Sequence, residues 1–254
     1  MDLKIQKKVL VFAIIFTVLL SSGCIKDIGP NKNDINEECN EELIDGLCTV
    51  ANLPEKFNWK NYGCKNWLTS VKLQRGCGSC WAFSTIGSIE AKYKIEQNNS
   101  MTDIDLSEQY LVSDCFKNGS CNGGLNGIAL DYIKNNGTSD EECFEYTGKD
   151  SSCNERCSDW NNRLWAIDNY APVARSIEEI KRGLICHGPL VSGSANWGHA
   201  VILVGWNDVE HSWIIKNSWG LGWEDDGYGR IPYSNHNYSD VINFTYYVEG
   251  VHKI

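Results

Sequence analysis

The segment Gln74-Arg75-Gly76-Cys77-Gly78-Ser79-Cys80-Trp81-Ala82-Phe83-Ser84 sets a cysteine where a glycine-bearing loop runs into a helix-forming stretch. Backbone N–H groups at a helix start carry partial positive charge, so a thiol placed there loses its proton more easily and becomes a nucleophile. A nucleophilic thiol needs a base. Of the 5 histidines, His199 heads the apolar run His199-Ala200-Val201-Ile202-Leu203-Val204-Gly205, which has the pattern of a buried strand. A second apolar run, Trp213-Ile214-Ile215, leads to Asn217, with Trp219 and Trp223 close behind. A carboxamide at that point can fix the tautomer of an imidazole and aim its other nitrogen at the sulfur, and tryptophan can shield the bond from water.

Each residue alone has a plainer meaning. Cys77-Gly78-Ser79-Cys80 could be a redox dithiol or half of a zinc site, His199 a satisfied strand histidine, and Asn217 a turn residue. No thioredoxin-like βαβ pattern lies nearby, and no second Cys or His pair stands at zinc spacing. Joint order favours nucleophilic catalysis, with no metal and no cofactor expected.

Three further blocks extend the pattern: Gln74 upstream of Cys80, Leu106-Ser107-Glu108-Gln109, and Cys121-Asn122-Gly123-Gly124. With Cys-Gly-Ser-Cys-Trp, His199 and Asn217-Ser218-Trp219-Gly220 in this order, the chain resembles the papain/cathepsin-type cysteine peptidases over about residues 52–232. The resemblance implies an α+β, papain-like two-subdomain fold: a helical half packed against an antiparallel β-barrel half, with the active cleft between. It implies Cys80 as nucleophile, His199 as general base and later acid, Asn217 as the residue orienting His199, and Gln74 as oxyanion donor beside the Cys80 N–H. Cys80 and His199 would rest as a thiolate–imidazolium pair, the thiol pKa falling to about 3–4. Gly123 and Gly124 would pair by backbone with an extended substrate, and Trp219 would roof the Asn217–His199 contact. Cys77 would pair with Cys121, and Cys115 with Cys153. Arg75 and Gly198 depart from residue types common in the family. The implied activity is peptide-bond hydrolysis through a thioester. The alternatives are a transpeptidase or wall-remodelling acyl transferase, and a catalytically silent binding protein on the same fold.

The elements that must position these residues follow from the pattern. After Cys80, Trp81, Ile86, Ile89 and Tyr93 recur at helical spacing with Glu90, Lys92, Lys94 and Glu96 between them, predicting a half-buried helix. Helical signals fill about 64–158, and from Leu164 onward the runs are those of strands, with 51–63 assigned to the same half. Residues 51–254 form the peptidase-like domain, and the pocket selecting the second residue upstream of the cut is expected to be lined partly by Ser234 to Asp240.

Ahead of that domain, Lys4, Lys7 and Lys8 precede Val9–Leu20, apolar apart from Thr17, and then Ser21-Ser22-Gly23-Cys24. Residues 1–23 are expected to be a signal peptide, too short in its apolar part for the roughly 20 residues of a membrane span. Residues 24–50 are a polar tether with Cys24 as the lipidation candidate. The 12 cysteines suit an oxidising compartment. Cys39 and Cys48 could close a small loop, leaving Cys64, Cys143, Cys157 and Cys186 as two further pairs. The net charge of −10 disfavours nucleic acid as a partner. The expected partner is a peptide or protein substrate, met by an exported monomer, secreted or held on the outer membrane face only through its N-terminal lipid or signal.

Overall fold

The structure is a computed structural model that describes residues 48, 52–194, 197–233 and 244–254. The expectations for the signal peptide, the tether, Cys24 and Ser234 to Asp240 lie outside the described residues.

Among the described residues there are four α-helices: α1 (Cys80–Glu96), α2 (Glu108–Leu111), α3 (Asn126–Asn136) and α4 (Ile177–His187). Eight strands, β1 (Lys56–Asn58), β2 (Thr138–Ser139), β3 (Leu164–Pro172), β4 (Leu190–Ser194), β5 (His199–Asn207), β6 (Ser212–Lys216), β7 (Tyr228–Pro232) and β8 (Thr245–Lys253), make one sheet. Its order is β2-β3-β8-β4-β5-β6-β7, with β1 pairing β5 from outside this path. Every pairing is antiparallel. The chain is therefore α+β, but the expected barrel is an open sheet among the described residues. β2 is only two residues long and pairs only with β3, so that end offers no edge on which β7 can close.

Helix α1 also departs from expectation. It is buried on nearly every side, Glu90, Lys92 and Lys94 included. Its apolar face packs with Leu106, Leu111, Leu130 and Ile133, while Ala91 and Ile95 join the aromatic core of Phe57, Trp59, Tyr62, Trp67 and Trp206. Lys92 pairs with Glu96 on the same helix at 3.5 Å, whereas Glu90 and Lys94 find partners far away in sequence. Glu90 accepts from the Thr69 hydroxyl (2.6 Å), the Leu106 N–H (2.9 Å) and Lys72 (3.2 Å). Lys72 also reaches Asp105 (2.6 Å) and Glu108 (2.9 Å), and Lys94 donates to the Leu68 carbonyl (3.0 Å). Full burial pushes the Glu108 carboxyl up to about 8 and the Lys216 ammonium down to about 8, whereas three carboxylates hold Lys72 protonated.

Helix α4 lies among the strands and has its own start signal: the Ser176 hydroxyl accepts from the Glu179 N–H at 3.1 Å. Four disulfides join described residues: Cys48–Cys186, Cys77–Cys121, Cys115–Cys153 and Cys143–Cys157. The first overturns the Cys39–Cys48 loop, since Cys48 is taken by a cysteine 138 residues away. Among the described residues no helix is long and apolar enough to cross a membrane.

Candidate active site

Cys80 is the first residue of α1 and is partly exposed. The loop before it is locked from several directions. The Cys77–Cys121 disulfide ties it to the glycine loop, and the Gly78 N–H donates to the Cys121 carbonyl at 2.8 Å. A Cβ on Gly78 would lie 2.6 Å from that carbonyl oxygen, so only glycine fits. The Tyr146 hydroxyl sits 2.6 Å from the Ser79 hydroxyl and donates to the Gln74 carbonyl at 2.8 Å. With Cys77 bonded to Cys121 and Cys80 a free thiol, the two cysteines are not a redox dithiol.

The helix start presents backbone donors to the sulfur. The N–H groups of Ala82 and Phe83 are taken by the Ser79 carbonyl. Those of Ala200, Trp81 and Cys80 itself favour the thiolate, but burial outweighs them and pushes the Cys80 thiol above its ordinary value. The Ala200 contact comes from the start of strand β5 on the opposite wall, one residue past His199. Burial likewise pushes the His199 imidazole below its ordinary value, opposed by its bond to Asn217. Burial thus works against both the thiolate and the imidazolium, while the backbone N–H groups of the helix start favour the thiolate. Charge separation has to come from the mutual attraction of thiolate and imidazolium.

His199 opens β5, and Asn217 follows β6 directly. His199 Nε2 lies 2.8 Å from Asn217 Oδ1. That same oxygen accepts the Ser218 N–H at 2.8 Å, which fixes the orientation of the amide and makes Nε2 the protonated ring nitrogen. Nδ1 is left with its lone pair for a proton from the thiol. Trp219 lies over the imidazole at 4.6 Å and 30°, and Trp197 meets it edge-on at 4.5 Å. Trp197 was not singled out in the sequence, where the stretch before His199 has no periodic signal. The neighbouring departure, Gly198, has φ +64, a left-handed turn into β5 that favours glycine.

Gln74 is anchored at both ends of its amide. Oε1 accepts from the Ser218 hydroxyl at 2.7 Å, and Nε2 donates to the Cys77 carbonyl at 2.9 Å, leaving its second N–H for the cleft it lines. Arg75, in a family position often held by glycine, adopts φ 57 and donates to the Thr147 carbonyl at 3.3 Å. Gly123 and Gly124 differ. Gly123 exchanges both backbone hydrogen bonds with Ser120, at 3.0 and 3.1 Å, so its N–H is spent within the turn. Gly124 rests on the Trp81 ring, and its backbone groups are unused among the described residues. Of the two glycines expected to pair with a substrate, Gly124 is the one whose backbone groups are free to do so among the described residues.

Together these residues line one cleft of about 790 Å³, which takes in Gln74, Cys80, Gly124, His199 and Trp219. The arrangement can abstract a thiol proton, hold an oxyanion and exclude water from the imidazole.

A family model described as papain family cysteine protease matches residues 53–194 and 191–248. Cathepsin S of Bos taurus is 32% identical over 226 residues, which cover 78% of this chain and 65% of that protein. Thiol protease aleurain of Arabidopsis thaliana is 39% identical over 210 residues, covering 72% and 57%. The chain thus spans just under two thirds of the first of these relatives and just over half of the second. Among solved structures, a cysteine protease of Carica candamarcensis in complex with E-64 aligns with a TM-score of 0.63 at 28% identity, over 78% of this chain and 99% of that one.

Proposed function

The chain belongs to the papain family of cysteine proteases, and from that premise we propose that it hydrolyses peptide bonds with Cys80 as nucleophile and His199 as base. The observation that carries the proposal is the 2.8 Å contact of His199 Nε2 with Asn217 Oδ1, which leaves Nδ1 as proton acceptor in the cleft that Cys80 also lines.

In the first step the Cys80 proton passes to His199 Nδ1 and the sulfur attacks the carbonyl carbon. The second N–H of Gln74 and the Cys80 N–H receive the oxyanion, a contribution of about 3–4 kcal/mol per donor in comparable sites. His199 then protonates the departing amine as the C–N bond breaks, leaving a thioester on Cys80. Water gives a proton to His199 and attacks the thioester; the acid departs and the thiol recovers its proton.

We place this chemistry outside the cytoplasm, reached by the signal at 1–23 and held there by a lipid on Cys24, with the domain acting as a monomer on peptide or protein substrates. The disulfides support an oxidising compartment. Intact mass of the membrane-extracted protein reads the lipid directly: a mature chain beginning at Cys24 with added acyl mass is the expected result.

The activity is tested with a blocked peptide ester and the matching amide, using the oxidatively folded protein and its Cys80→Ser variant. Hydrolysis of both substrates by the parent alone is expected. Preferential transfer of the acyl group to an added amine would identify an acyl transferase, and binding without turnover would identify a silent binding protein.

A further inference from the structure

Beyond the catalytic cluster the cleft continues past Gly124 to an end walled by Leu125, Ile128 and Asp131 on the α3 side, Tyr170 of β3, and Phe244 and Tyr246 at the start of β8. Leu125, Ile128 and Phe244 are large apolar side chains exposed to solvent. Gly127 and Asp131 are one helical turn apart and share a face of α3. With no side chain at Gly127, the Tyr246 ring lies across the helix there: a Cβ at that glycine would stand 3.1 Å from the Tyr246 hydroxyl. Tyr170 and Tyr246 stand 6.2 Å apart with their rings tilted at 60°. The charge of Asp131 is felt at the Tyr170 hydroxyl, whose ionisation burial and Asp131 both oppose.

The charge inventory of this cleft is one-sided. Among the described residues Asp131 is the one carboxylate that lines it, and no lysine or arginine does. The Asp131 carboxylate makes no ion pair and no side-chain hydrogen bond there; Lys134 on the same helix donates instead to Asn169 at 3.2 Å. An apolar trough with aromatic walls and an unpaired carboxylate at its end matches an extended hydrocarbon stem that ends in a cation.

We propose that Asp131 is a specificity-determining residue that receives a cationic group of the substrate, two or three residues upstream of the cleaved bond. This rests on the peptidase reading above. The cation is either a lysine or arginine side chain or the free amine of a short peptide, two sources with the same chemistry.

The test uses the full, oxidatively folded chain and N-acetylated fluorogenic peptides carrying lysine, norleucine or glutamate in turn at the second and third upstream positions. The expected kcat/KM ratio of lysine over norleucine is about fivefold, the size of a partly exposed charge pair, with glutamate poorest. Asp131→Asn brings the ratio close to one, and Asp131→Glu retains most of it. A parallel set of norleucine peptides with free amines separates the two sources: a gain over the acetylated form that vanishes in Asp131→Asn assigns the amine. Ratios that are equal in the parent and Asp131→Asn, in both sets, overturn the proposal. If no peptide is turned over, the peptidase reading fails instead. The affinities of lysine and norleucine peptides for the Cys80→Ala protein then decide the role of Asp131 by the same ratio.

Discussion

The two walls of the cleft reach comparable precision by different means. The Cys80 wall is loop and helix start, held by a disulfide, by the Tyr146 latch and by a glycine pressed against a carbonyl. The His199 wall is the ends of two neighbouring strands, where β-sheet register sets the spacing and Trp197 and Trp219 hem in the imidazole. A nucleophile fed by backbone N–H groups needs the backbone itself pinned. A base that must gain and lose a proton needs only its ring held, by one amide and two aromatic contacts.

That contrast can be broken most severely by removing the base. His199→Ala should lower kcat by about 10⁶-fold, as loss of one member of a nucleophile–base pair does, and single-turnover kinetics would show the acylation step itself disabled. Gln74→Ala keeps both partners and removes one oxyanion donor. A fall in kcat of about 10²–10³ with little change in KM is expected, and an unchanged kcat would remove Gln74 from the oxyanion site.

The scaffold difference should appear in stability. Replacing both Cys77 and Cys121 by serine should cost about 2–4 kcal/mol by urea unfolding. Trp206→Ala, in β5 and in the aromatic core it packs against, should cost about 3–5 kcal/mol without any covalent change. If the disulfide variant retains full stability, the Cys80 wall is not covalently pinned in the sense argued here.

The smallest effect concerns Trp219. Burial holds the His199 imidazole below its ordinary value. Trp219→Ala lets water reach the ring, which raises its pKa toward that value, so the imidazolium survives to higher pH. The alkaline limb of kcat/KM should therefore move to higher pH, whereas a shift to lower pH would contradict the desolvating role of Trp219.

Much of the site was legible because its signals are local. Cys80 stands in a run whose loop and helix characters adjoin, and His199 and Asn217 each sit at the end of an apolar strand. The less legible parts depend on contacts distant in sequence. Glu90, Lys92 and Lys94 have the look of a solvated helix face, and the burial of Glu90 and Lys94 depends on the arrival of Thr69, Lys72 and Leu106 at the first and of the Leu68 carbonyl at the second. Cysteine spacing could not disclose Cys48–Cys186, and no hydrophobic pattern discloses that the sheet runs open from the two-residue β2 to β7 among the described residues. Trp197 and Asp131 belong to segments whose plain meanings, turn and helix surface, conceal where the fold brings them.

The central claim is a thiol at Cys80 made reactive by the opposite wall. Its most direct test is labelling of the oxidatively folded protein with a peptidyl epoxide, read by intact and peptide mass, with His199→Ala and Cys80→Ser alongside. The account predicts one adduct per chain, on Cys80, strongly slowed in His199→Ala and absent in Cys80→Ser. Labelling of Cys80 at equal rates with and without His199, or no adduct on a protein with its disulfides intact, would contradict it.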